Sequence, residues 1–500
     1  MFQKGAFPDA SFIFKHALLQ DSAYNSLLKK RRFAIHARIG AAIESSFPDM
    51  IQHQPELVAH HFTEAGIPEK GAEYWFKAGV KAQSVFANIE AISHLNCGLK
   101  ILQSIQESPE RDKLELSMQS ALAPVLMAAR GWSAPEVGTS IERAGQLVAK
   151  FDSLEDKFFV MWGLWGWRVI RADTDIATPI AEEMMKLARS SPEGTDLLAE
   201  ACWAVGCSDY YKGVFKTGLE VLEKGLELID AEKERLHSLK TGQRCSIMCR
   251  SHSAMALWQM GYPDQALQRS DENARLGKAQ NHPFSFAMSQ FFRRQVLDFC
   301  GFTELSRASI EEEYKICHEN GFVFFEVHAI FGRGVLLLKE GKANEAREHF
   351  LQGLEMLKAT GGNLSMDHPY SMIAEGYIAA KLIDDAREWL GRGFDLVNNR
   401  NQRSRESEFL RLQGLVAVAT GDQVTASEWF EKAVDVARRQ QARSWELRAL
   451  ISFAELRKSQ GKSNEARQML EQTYRSFSEG HSTSDLIRAK ALLTELEAQA

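Results

Sequence analysis

The sequence holds few of the residues that mark a disordered, secreted or membrane-spanning chain. Proline (12) and glycine (34) are sparse against 45% hydrophobic and 25% charged residues, which excludes a disordered polymer and leaves ample apolar surface to bury. Cysteine is scarce and odd in number, seven in 500 residues, so a disulfide framework is not expected and reduced, buried thiols are. The most apolar run, Phe158 to Trp167, is half of the roughly 20 residues that a membrane-crossing helix needs. The first residues, MFQKGAFPDASFIFKHALL, lack an apolar stretch followed by a small-residue cleavage site, so no signal peptide is read and the expected location is the cytoplasm. Charge of one sign is missing too. With 60 basic and 66 acidic residues (net -6) there is no broad positive field, and nucleic acid is not an expected partner.

What is present is a repeat. Five hundred residues exceed the roughly 250 to 300 that one hydrophobic core can hold, so the chain must stack repeats or divide into domains. Gly261, Gly301, Gly341, Gly421 and Gly461 fall on a 40-residue ruler, and the mark at 381 is taken by Lys381 in a similar break. Five residues after each mark stands a small residue: Ala266, Ser306, Ala346, Ala386, Ala426 or Ala466. Nine after comes Ile310, Phe350, Leu390, Phe430 or Leu470, and twelve after comes Gly353, Gly393 or Ala433. Seven before stand Ala254, Gly334, Ala374, Gly414 and Ala454. After Gly421 the apolar set Ala426, Trp429, Phe430, Ala433, Val434 and Ala437 has the stripe of an amphipathic helix, and the segment before each mark has one like it. Two antiparallel helices joined by a short turn result, and their uncovered flanks stack into an all-α solenoid with a concave face. Towards the N-terminus Gly206, Gly213, Gly218, Leu222 and Gly225 fit the template, and Gly66, Gly71, Trp75 and Ala78 fit its second half. Between about 103 and 160, Pro109, Pro124, Gly131 and Pro135 interrupt the helices and leave irregular repeats.

The small residue, the Ala five past the turn, the large residue four later and the small one three after that resemble the tetratricopeptide repeat. That resemblance implies a right-handed helical-hairpin superhelix that binds other proteins, with units longer than the usual unit of about 34 residues. A second likeness begins with FIFKHALLQDSAYNSLLKKRRFAIHARIGAAIE, PELVAHHFTEAGIPEKGAEYWFKAGVKA and EAISHLNCGLKIL, and it continues through LWQMGYPDQAL, NHPFSFAMSQFF and ARRQQARSWELRA. These segments resemble the tetratricopeptide region of bacterial class III adenylate or guanylate cyclase proteins that carry a STAND-type ATPase module. The likeness implies a winged-helix remnant over 1–47, ending the ATPase module. Irregular helical repeats over 48–200 and tetratricopeptide-like repeats over 201–500 would follow.

No G-x-x-x-x-G-K-[ST] occurs, and no region is left for a cyclase domain. Gly461-Lys462-Ser463 reads as a repeat turn because no strand precedes it. His60 and His61 point about 100° apart on a helix and cannot readily grip one ion, with or without His53. Cys245 and Cys249, one helical turn apart, could share a face with Cys202 or Cys207, but no C-x-x-C or C-x-x-H is present and core filling is the expectation. His16, beside Lys15 and Asp21, has no visible pocket for acid-base work. The aromatic set Trp162, Trp165, Trp167, Tyr210, Tyr211 and Phe215 is expected in the core, and is the place to seek a ligand groove if one exists. Lys29-Lys30-Arg31-Arg32 and Arg438-Arg439 read as solvated helix faces. No catalytic, cofactor or metal residues are expected. The functional expectation is a non-catalytic scaffold or sensor that binds a protein partner, such as a cyclase or ATPase module, without contacting a membrane. The alternatives are part of a cyclase whose catalytic domain is not in this chain, and a small-molecule-sensing solenoid.

Overall fold

The computed structural model of the chain describes residues 2–4, 11–13, 22, 24–131, 134–190 and 192–498. They form two compact units, Met1–Leu122 and Ala123–Ala500. The first opens with an antiparallel pair, β1 (Phe2–Lys4) and β2 (Ser11–Ile13). It continues with α1 (Lys29–Ser46), α2 (Pro48–His53), α3 (Pro55–Glu64), α4 (Pro68–Ser84) and α5 (Asn88–Leu102). The unit boundary falls inside α6 (Pro109–Arg130). Of the segment 1–47, expected as a winged-helix remnant, residues 1, 5–10, 14–21 with His16 among them, and 23 lie outside the described residues.

The second unit continues with α7 (Pro135–Val148), α8 (Leu154–Ile170), α9 (Thr174–Arg189), α10 (Leu198–Tyr211), α11 (Phe215–Glu227), α12 (Ala231–Thr241), α13 (Cys245–Gln259), α14 (Pro263–Ala279) and α15 (Pro283–Cys300). Then come α16 (Thr303–Asn320), α17 (Val323–Lys339), α18 (Ala343–Thr360), α19 (Asp367–Ala379), α20 (Ile383–Arg400), α21 (Glu406–Ala419), α22 (Gln423–Arg439), α23 (Arg443–Ser459), α24 (Ser463–Arg475) and α25 (Ser484–Ala498). From α13 on, each ruler mark separates an A helix from the B helix of one hairpin. The extra helix α12 is why no mark stands at 221.

At the marks the chain turns through the left-handed region: Gly341 has φ +80°, Gly421 +83° and Gly461 +75°, which only glycine adopts without steric cost. The Lys342 N–H returns to the Leu337 carbonyl at 2.9 Å, and Asp422 to Ala417 likewise, so the last carbonyls of the A helix are capped by the turn itself. Lys381 makes the same turn at φ +61° without glycine's freedom.

Small residues then set the helix spacing. A Cβ on Gly414 would come within 2.5 Å of the Phe430 ring, and one on Gly334 would strike Phe350. Ala374 with Leu390, and Ala454 with Leu470, hold the same places and are buried in the same clusters. Gly therefore faces Phe and Ala faces Leu, and the summed volume stays nearly constant. Gly353 lies against Phe331. Ala346, Ala426, Ala433 and Ala466 are fully buried. Replacing Ala426 by Phe is expected to cost about 1 to 3 kcal/mol through overpacking, read as a lower denaturant midpoint. An unchanged midpoint would refute this register.

Pro124 does not interrupt its helix: α6 runs through it, losing one backbone bond while burying Leu122, Val125, Leu126 and Met127. Pro135 starts α7 at a position where its missing N–H costs nothing.

Candidate functional site: the inside of the superhelical turn

The A and B helices of the second unit differ sharply in burial. α13 is buried along its whole length except Arg250, whereas α14 buries only a stripe that includes Pro263, Ala266, Ser270, Asn273 and Gly277. The A helices are thus inside, covered on both sides, and the B helices wrap them.

The cover comes from the chain itself, far along the sequence. Asn363 and Leu364 donate their backbone N–H groups to the Ile170 carbonyl, and Arg403 donates its own to Tyr211 at 2.7 Å. The Arg443 Nε donates to the Met260 carbonyl and Ser444 to Trp258, partners 183 and 186 residues apart. Arg400 donates to Asp173, and Arg448 to the Phe299 carbonyl. Roughly four to five hairpins therefore complete one turn, and the next turn seats directly on it. The concave face that the repeat pattern implies is not an open surface in this unit. Its inside is filled.

The filling is ionic. Arg294 on α15 donates from Nε to Glu313 at 2.7 Å and from Nη1 to Asp298 at 3.2 Å, and its side chain is 3% exposed. His368 on α19 donates from Nε2 to Asp298 at 2.9 Å and accepts at Nδ1 from Arg405 at 2.6 Å, which fixes the neutral tautomer. Arg405 also lies over the Phe299 ring at 4.4 Å. Arg411 grips Glu408 with two bonds of 2.8 Å and reaches Glu375. Arg448 bonds Asp485 at 2.7 Å. Burial alone would raise the Asp298 carboxyl, but the His368 hydrogen bond and the Arg294 charge outweigh it and hold the group at about 2. Burial and the Arg405 charge push His368 down to about 3. Each carboxylate of this cluster meets a guanidinium or an imidazole, so the arrangement has the chemistry of a charge-balanced core.

Two of these residues sit where the repeat pattern breaks. Arg294 stands seven before the mark at 301, a place held by Gly or Ala in the other repeats, and Glu313 stands twelve after it, where Gly353, Gly393 and Ala433 stand in three of the others. A buried ion pair replaces two small residues in that hairpin. The departure was visible in the sequence as a gap in the pattern, but spacing alone gives no sign that the two side chains meet.

The aromatic set is core, as expected. Trp162, Trp165, Tyr210, Tyr211 and Phe215 are buried, Trp165 donates to Ser208 at 3.0 Å, and Trp167 lies under Arg168 and Arg171. Beside Tyr211, Trp203, His252, Phe291 and Leu364 wall a cavity of about 30 Å³. That is room for about two water molecules and too small for a metabolite. Cys245 and Cys249 lie 3.9 Å apart, sulfur to sulfur, with Cys202 close by, all buried and free. Burial pushes the thiols of Cys202 and Cys207 up, and this leaves them inert as nucleophiles. Among the described residues no group of three or more His, Cys, Asp or Glu is arranged to hold a metal ion.

In the first unit the Nδ1 atoms of His61 and His36 lie 2.8 Å apart, and His36 in turn bonds Tyr24; His53 caps back to the Asp49 carbonyl. The pairing of His61 with His36 was not foreseen, because 25 residues separate them. Lys29 and Arg32 lie over Phe33 and Tyr24 at the start of α1. Arg438 bonds Glu446. Gly461-Lys462-Ser463 is the turn from α23 to α24, with Lys462 half exposed and loosely paired to Glu465 at 3.7 Å. Lys462→Ala is expected to shift stability by no more than about 0.5 kcal/mol. A larger loss in a melting curve would give that turn a role it does not have here.

Among the described residues no helix is long and apolar enough to cross a membrane. No protein-family model matches the chain. An uncharacterized protein of Rhizobium meliloti (strain 1021) is 24% identical over 457 residues, which cover 89% of this chain and 43% of that protein. The chain thus spans less than half the length of this curated relative. Of the solved structures, a Rap protein complexed with Competence and Sporulation Factor aligns with a TM-score of 0.53 at 11% identity, covering 74% of this chain and 98% of that one. The Rap conjugation gene regulator of plasmid pLS20 in complex with the Phr* peptide aligns at 0.45 and 16%, covering 74% and 96%. The likeness to the first of these, together with the hairpin geometry, establishes the fold as an all-α, tetratricopeptide-like helical solenoid.

Proposed function

We propose that the chain is a non-catalytic protein-interaction scaffold or sensor region of a nucleotide-cyclase and STAND-ATPase signalling protein. The observation that carries the reading is the tandem hairpin solenoid, whose many exposed B-helix faces offer binding surface and whose interior is used up in its own ion pairs. The Rap protein with the same fold is complexed with Competence and Sporulation Factor, which supports a signal-receiving role here. The relative from Rhizobium meliloti is more than twice as long, so a catalytic module carried elsewhere is consistent with it. In this reading 1–47 ends the ATPase module, 48–200 forms irregular repeats and 201–500 the regular array, working in the cytoplasm. At the aromatic set, the place to seek such a ligand, the cavity of about 30 Å³ weighs against the small-molecule alternative.

The test is affinity capture with the purified chain from its own cell lysate, followed by mass spectrometry. A cyclase or ATPase module should be retained specifically, and retention of no protein would overturn the reading. Cyclic nucleotide made by this chain alone would favour the cyclase alternative.

A further inference from the structure

Thirteen residues after the ruler mark, five hairpins carry a large side chain: Tyr314, Leu354, Phe394, Val434 and Tyr474. In the hairpin of the mark at 261 the same place holds Ala274. What the large residue does is plain at Tyr314. Its ring lies against the Arg333 guanidinium, 3.6 Å from the ring centroid, and stacks on His318 at 5.5 Å. Arg333 is held there by Glu311, which accepts from its Nε at 2.9 Å. Forty residues earlier, Asp271 holds Arg293 in the same way at 2.6 Å, but Ala274 stands where the ring would be.

A groove of about 540 Å³ results, lined by α14, α15 and α16. All three helices are in place around it, so the small size of one residue makes the opening. Its two carboxylates are already engaged: Asp271 by Arg293, and Glu312 by Gln290 at 2.9 Å, with Lys278 at 3.9 Å. Arg275, also on the groove and exposed, has no ion-pair partner among the described residues. Lys278 is exposed beside it, 5.9 Å from the centroid of the Phe286 ring. Three cations thus face two occupied carboxylates, and an anion brought to the rim meets positive charge that is not neutralised.

We propose that this groove takes one aromatic side chain carried on an acidic peptide segment. The ring occupies the place that Tyr314 fills in the next hairpin and stacks on the Arg293 guanidinium. Because Asp271 already fixes that guanidinium, little side-chain freedom is lost when the ring arrives. Carboxylates on either side of the ring meet Arg275 and Lys278 at the rim. An aliphatic side chain fills the same space without the attraction between cation and ring. This assignment rests on the protein-interaction reading and gives it a surface and the chemistry that the surface recognises.

The end-blocked peptide Glu-Glu-Tyr-Glu-Glu provides the probe, followed on the full chain by saturation-transfer NMR, which reads weak binding. Its ring protons should take up saturation more strongly than its methylenes, and Glu-Glu-Ala-Glu-Glu should take up little. Ala274→Tyr, which supplies the missing ring from the chain itself, should weaken binding about tenfold without lowering the melting temperature. Arg275→Glu, at an exposed position, should weaken it about threefold. No saturation of the tyrosine peptide, or equal binding of the ring-free one, overturns the proposal. So does equal binding by the parent and Ala274→Tyr or, if that variant does not fold, by the parent and Arg275→Glu. Phenylacetate bound as tightly as the peptide also overturns it, since the site would then serve free aromatic anions. A concentration-dependent dimer that Ala274→Tyr abolishes does the same, because the occupant would be a second copy. If lysate capture retains the same partner equally on the Ala274→Tyr chain, the groove assignment fails while the scaffold reading stands.

Discussion

Replacing Arg294 by Met should destabilise the second unit by about 3 to 5 kcal/mol. Met keeps the unbranched stem as far as the place of Nε and removes the charged head, so most of the expected loss is electrostatic. Arg294 is the hydrogen-bond donor to Glu313, whose side chain is 0% exposed, and the two are 2.7 Å apart. Burial already raises the Glu313 carboxyl above its ordinary value even with the guanidinium in place. Without that guanidinium the carboxylate must stay charged in a dry interior or take up a proton, and both cost free energy. The double variant Arg294→Met with Glu313→Gln should recover more than half of the loss, because Glu313 is then no longer a stranded charge while Asp298 keeps its hydrogen bonds from His368 and Ser306. Urea denaturation followed by circular dichroism measures both. A single-variant loss below about 1 kcal/mol would show that water reaches the pair.

Acid should destabilise this protein through its buried histidines. His252 and His282 are pushed down to about 4 by burial, His368 to about 3, and His328 well below its ordinary value. In the unfolded chain each titrates near 6.5, so between pH 6.5 and about 4 the unfolded state binds protons that the folded state refuses. The stability these groups confer is complete above 6.5 and is lost as the pH falls, each contributing up to about 1.4 kcal/mol per pH unit. His237 runs the other way. Burial pulls it down, but the Glu200 hydrogen bond at 2.7 Å outweighs that and raises it, so its contribution is lost as the pH rises. Asp298 and Glu408, held at about 2, stay charged throughout this window.

His328 isolates one increment. Among the described residues neither of its ring nitrogens has a hydrogen-bond partner, and the ring packs between Phe291 and Phe324. His328→Phe should therefore be neutral or stabilising by up to about 2 kcal/mol at pH 7. It should also flatten the fall in stability between pH 6.5 and 4 by one proton. A variant with the same acid slope as the parent would remove His328 from this account.

The hairpins were legible because they depend on neighbours only. A glycine at the turn, an alanine five later and a large residue nine later act within one pair of helices, so a 40-residue ruler finds them. The ion pair of Arg294 and Glu313 left a trace as two large residues in small places. The hydrogen-bond chain from Tyr24 through His36 to His61 left none, since nothing in the spacing brings the rings together.

By itself, then, the sequence determined the helices, the turns and the matching of Gly to Phe and Ala to Leu. The tertiary structure decided that the superhelix closes on itself. The turns at Gly213, Gly261 and Gly301 lie against Gln440, Arg443 and Ser484, while among the described residues a Cβ at Gly341, Gly421 or Gly461 would meet nothing within 4 Å beyond its chain neighbours. Tyr262 and Phe302 follow two of the covered turns, and Lys342, Asp422 and Lys462 follow the open ones. That contrast acquires meaning only once the turn is closed. Closure depends on small rotations between hairpins added over more than 180 residues, and no local pattern records such a sum.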